Sequence, residues 1–69
     1  MRLSARNVFK GTVVKIVPGT LNTEVTIKTD EGVQIVSMIS KESATNLGLA
    51  VGGTAYAVIK ASHVIVGVD

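Results

Sequence analysis

The chain has 69 residues, enough for one small domain (1–69) with a modest core. Seven basic and five acidic residues leave a scattered net charge of +2, and with one Tyr, one Phe and no Trp the basic stripe and stacking aromatics of nucleic-acid binders are missing. A single His and no Cys exclude a zinc site and a disulfide framework, and no apolar run has the length of a signal peptide or a membrane span, so the cytoplasm is the default compartment.

Residues 8–17 are rich in β-branched side chains and predict a first strand, with Gly11 as a bulge or a point of close approach. Pro18-Gly19 fits the centre of a type II turn, where Pro presets φ and Gly accepts a positive one. Residues 23–29 alternate, with Val25 and Ile27 on one face and Glu24, Thr26 and Lys28 on the other. Asp30-Glu31-Gly32 makes a tight connection to a third strand over 33–39, completing a meander. Ser40 reads as a helix N-cap with Glu42 in the first turn. Asn46-Leu47-Gly48 stops that helix, Gly48 taking the left-handed position and Leu49 its apolar contact. Gly52-Gly53 turns the chain into a fourth strand over 54–60, and 64–68 predicts a fifth. The fold class expected is all-β with one short helix, a five-stranded OB-type barrel.

Of these residues, 46% are hydrophobic and almost all of that is aliphatic. A domain this small cannot hide so much apolar surface, so association into an obligate homo-oligomer is expected. Catalysis is not: His63 has no carboxylate near it in sequence, and no Gly-flanked nucleophile is present. Two donor clusters remain. Ser4-Ala5-Arg6-Asn7 precedes the first strand, and Lys60-Ala61-Ser62 follows the fourth. Each joins one cation to hydroxyl or amide donors on a small-residue backbone, and neither holds a carboxylate. Donors without acceptors suit an anion that carries no proton. A solvated strand start and a polar corner would also account for each cluster taken alone.

Ser4-Ala5-Arg6-Asn7 with Lys10-Gly11, then Val36-Ser37-Met38-Ile39-Ser40, Leu47-Gly48-Leu49, Gly52 and Val58-Ile59-Lys60-Ala61-Ser62, together resemble a molbindin. Molbindins consist of a single Mop domain, a molybdate-binding module called TOBE when fused to other proteins. The resemblance spans essentially the whole chain. It implies an OB-fold subunit in a homohexamer, a trimer of dimers, that binds molybdate or tungstate oxyanions between subunits. Carried over by position, one site would take Ser4, Ala5 and Arg6 from one subunit and Lys60, Ala61 and Ser62 from a neighbour. Ser40 and Ser43 would complete the pocket, with Asn7 part of the motif. The implied role is intracellular molybdenum storage or homeostasis, without enzymatic activity, membrane or nucleic acid. An OB-fold nucleic-acid-binding module is the alternative.

Overall fold

The computed structural model describes residues 2–69 and measures 35 × 27 × 23 Å. Its elements are β1 (Asn7–Pro18), β2 (Asn22–Thr29), β3 (Gln34–Ser40), α1 (Lys41–Asn46) and β4 (Thr54–Ile59), followed by a single 3-10 turn at Ala61–His63. The strands form one antiparallel sheet in the order β3-β2-β1-β4, curled into a half-barrel of OB type. The meander is as expected from the sequence. The fifth strand is not: Val64–Val68 runs on beyond the turn without pairing to any described strand, because the protomer's sheet never brings an edge to it.

One local expectation is corrected and another resolved between its two alternatives. Pro18 is the last residue of β1 and pairs with Thr23, so the loop is residues 19–22, closed by the Gly19 N–H donating to the Asn22 carbonyl at 2.8 Å. Gly19 therefore lacks the positive φ of a type II turn. It is glycine for space instead, since a Cβ there would stand 2.6 Å from the Asn22 oxygen. The β1 bulge falls between Val13 and Lys15 rather than at Gly11. Gly11 is the close-approach position: it pairs with Thr29 on one side and Ala55 on the other, and a Cβ would collide with the Lys28 carbonyl.

The core is small. Val13, Val25, Ile27 and Ala57 are buried, and Ile16, Ile35, Ile39, Leu49 and Ala55 pack against them half-covered. Thr23, Thr26 and Thr29 are buried too, so β2 is covered on both faces around Thr26 and the expected polar face is incomplete there. Thr29 turns its hydroxyl to use by accepting the Val33 N–H at 3.1 Å, which fixes the β2–β3 connection.

The helix forms where its caps place it. The Ser40 hydroxyl accepts the Ser43 N–H at 3.0 Å, as an N-cap should. At the other end Gly48 has φ +63. Its N–H donates to the Thr45 carbonyl and the Leu49 N–H to the Ala44 carbonyl, the pair of bonds that defines a Schellman stop. No described helix is long and apolar enough to cross a membrane.

Candidate oxyanion site

The strand register decides where the two donor clusters sit. β1 and β4 pair antiparallel from Asn7↔Ile59 to Thr12↔Thr54. Just outside the first pair, the chain leads back into Ser4-Ala5-Arg6 on one strand and on into Lys60-Ala61-Ser62 on the other. The two cationic clusters therefore share one end of the sheet in a single protomer, although more than fifty residues of chain separate them. The Asn7 side chain tightens that junction, its Nδ2 donating to the Ile59 carbonyl at 3.2 Å. One amide donor of Asn7 is thus committed to holding the clusters side by side.

Most of this end is open to solvent. Ser4, Arg6, Lys60, Ala61 and Ser62 are exposed, and Ala5 and Asn7 half-buried. The 3-10 turn supplies backbone donors: His63 N–H bonds the Lys60 carbonyl at 2.9 Å and Val64 N–H the Ala61 carbonyl at 3.3 Å. The N–H groups of Ala61 and Ser62 take no part in the turn's own bonds.

Ser40 and Ser43 lie elsewhere. Ser40 pairs with Asn22 at the end of β3, next to the β1–β2 loop that begins after Pro18. The 12 residues of β1 run between that end and the Asn7 end, and at roughly 3.3 Å per residue they span most of the molecule. The two hydroxyls are ordered by each other, Ser40 Oγ donating to Ser43 Oγ at 2.8 Å. The Ser43 hydroxyl proton is then left for an acceptor outside the helix. One protomer brings together Ser4–Asn7 and Lys60–Ser62, and keeps Ser40 and Ser43 at the opposite end. The resemblance implies one cationic cluster from each of two subunits; within a protomer the segments carrying the two clusters end at the same side of the sheet, opposite Ser40 and Ser43.

Among the described residues no group of three or more His, Cys, Asp or Glu side chains could hold a metal ion. The two aromatics do not make a platform either. Phe9 stands opposite Ala57 and Tyr56 opposite Lys10, so neighbouring pairs on the β1–β4 ladder send them to opposite faces of the sheet.

The comparisons with known proteins agree with one another. The TOBE domain family model matches residues 3–66. A Haemophilus influenzae protein described as a probable molybdenum-pterin-binding protein is 45% identical over 69 residues, covering all of both chains. MopII of Clostridium pasteurianum, in an apo form, superposes with a TM-score of 0.92 at 36% identity, covering 97% of this chain and all of that one. ModG, a cytoplasmic molybdate-binding protein solved with molybdate bound, gives a TM-score of 0.95 at 52% identity; this chain is covered entirely and matches 49% of ModG. The curled sheet, the two clusters at its end and the family model along nearly the whole chain lead to one assignment: this chain is a member of the TOBE domain family.

Proposed function

We propose that this chain binds molybdate or tungstate as the intact oxyanion, at the subunit interfaces of a homo-oligomer, and that it stores or buffers the ion in the cytoplasm rather than transforming it. The whole chain, 1–69, acts as one Mop domain, and the assembly is a hexamer built as a trimer of dimers. The observation that supports the reading is the β1–β4 register, which ends at Asn7↔Ile59 and so brings the segments carrying Arg6 and Lys60 to the same end of the sheet. Molybdate binding by relatives such as ModG supports it.

The pocket consists of Ser4, Ala5, Arg6, Lys60, Ala61 and Ser62 of one protomer, with Ser40 and Ser43 of a neighbour closing over it. Asn7 acts as the clamp between the first two segments. Two cations held close repel each other until an anion lies between them, so the empty site is the unfavourable state. A tetrahedral dianion offers four acceptor oxygens and no proton. Arg6 and Lys60 give charge-assisted bonds, about twice the strength of neutral ones. Serine hydroxyls and the Ala61 and Ser62 N–H groups address the remaining oxygens.

Selectivity follows from the same donor set. Phosphate keeps a proton near neutral pH, and a pocket without a carboxylate leaves that proton without a good acceptor. A buried polar group left unpaired costs about 1–3 kcal/mol, roughly tenfold or more in affinity. Sulfate has the charge of molybdate and shorter bonds to oxygen, so its rejection rests on pocket size. Titration calorimetry with molybdate, tungstate, sulfate and phosphate, read beside the oligomer mass, tests the reading: heat is expected from the first two and none from the last two. Equal heats for all four would replace it with a general anion site, and silence from all four would end it.

A further inference from the structure

His63 ends the corner that carries the second donor cluster. Its side chain is exposed, and none of the side-chain hydrogen bonds among the described residues involves the ring. The backbone fixes where the residue stands. Its N–H donates to the Lys60 carbonyl at 2.9 Å, which closes a four-residue turn over Lys60, Ala61, Ser62 and His63. Such a turn holds its first and last Cα atoms within about 7 Å of each other. The ring therefore lies within a side chain's reach of whatever the Lys60 ammonium holds. Between the two basic residues come the N–H groups of Ala61 and Ser62, both unused by the turn. The second bond of the turn is also backbone to backbone, Val64 N–H to the Ala61 carbonyl at 3.3 Å. The fold thus makes no demand on the imidazole.

We propose that His63 is a further anion-binding residue of the oxyanion site, and that its charge state couples ion uptake to pH. The inference rests on the oxyanion reading above. Imidazole is the side chain that changes charge between about pH 5 and 8. Protonated, it is a cation that donates from both ring nitrogens; neutral, it has one donor and no charge. Protonation therefore adds a third cation to the donor set at the pH where the ring carries its proton. Ion and proton then favour each other's binding, and by linkage the coupling is the same in both directions. Uptake of the dianion is strengthened in acid and relaxed in base.

Charged groups reach this end of the sheet from several elements. The segment before β1 brings Arg2 and Arg6, β1 brings Lys10, and the turn brings Lys60. The β2–β3 connection brings Asp30 and Glu31, which line a small cavity with Val8, Phe9 and Lys10. Asp69 ends the chain beyond Val64–Val68. Among the described residues no three of His, Cys, Asp and Glu gather closely enough to hold a metal ion, so His63 does not sit with both Asp30 and Glu31. The residue the turn ties directly to it is a lysine. A dianion held there answers both charges at once.

The chain has a single His, so in the whole protein the ring gives one unambiguous set of proton NMR signals. The midpoint of its titration is expected to move up when molybdate is added. By calorimetry the molybdate Kd is expected to fall roughly three- to tenfold from about pH 8 to about pH 6, the effect of one added charge on a solvent-facing anion. His63→Gln is expected to keep the fold and to show the weaker, high-pH affinity at both values. A wild-type Kd equal at the two pH values, a ring midpoint unmoved by molybdate, or an undiminished pH dependence in His63→Gln would overturn the assignment and leave the oxyanion reading standing. No molybdate heat at either pH would end both.

Discussion

Asn7 has a structural task whatever its part in binding. Its amide bonds the Ile59 carbonyl, so it positions the residues before it and after Ile59. Arg6, one place earlier, is exposed, and in the proposed site it supplies charge to the anion. Arg6→Ala is expected to weaken molybdate binding by about 1.5–3 kcal/mol, the worth of a hydrogen bond to a charged group, measured by calorimetry. Ser43→Ala removes a neutral donor and is expected to cost less, about 0.5–1.5 kcal/mol, in the same titration. Gly11 is constrained from a different direction. Because a Cβ there meets the Lys28 carbonyl, Gly11→Ala is expected to lower the melting temperature sharply, the overpacking costing about 1–3 kcal/mol in a protein with little to spare. The sequence marks Gly11 as special and is silent on which backbone crowds it, since Lys28 comes close only through the β1–β2 pairing.

Elements governed by neighbours in the chain were legible; elements governed by distant pairing were less so. The helix was readable to the residue because Ser40, Glu42, Gly48 and Leu49 act within one or two turns. The same locality makes its energetics predictable. Ser40→Ala loses the bond to the Ser43 N–H and is expected to cost about 1 kcal/mol of stability, followed by thermal or urea denaturation. The Pro18-Gly19 turn was misplaced by one residue, since a type II turn and a four-residue loop accept the same Pro-Gly pair and the Pro18↔Thr23 pairing chooses between them. The fifth strand was misjudged for a similar reason: period and β-branching describe what a segment can do, and pairing requires an edge within reach. That both cationic clusters end up in one protomer also lay beyond local pattern, because it depends on β1 meeting β4 across the whole chain.

At the scale of the molecule the apolar balance dominates. Among the described residues only four hydrophobic ones are buried, while Leu21, Leu47, Val51 and the valines of Val64–Val68 face outward. The surplus predicted from composition is thus visible as surface, and association is the physical remedy. If the ion sits at a seam, saturating molybdate should raise the melting temperature, as any ligand of the native state does, by about 2.7 kcal/mol of added stability at a hundred times Kd. A scanning calorimetry trace that does not move would speak against the seam. One further result comes from where those four covered residues lie. Val13, Val25, Ile27 and Ala57 come from β1, β2 and β4 alone, and β3 adds only the half-covered Ile35 and Ile39, so the rim carrying β3 and α1 is the part of the sheet least anchored by the core. Ser40 and Ser43 lie on that rim, so if they reach the ion in the proposed site, a substitution that improves rim packing is expected to slow the ion's release.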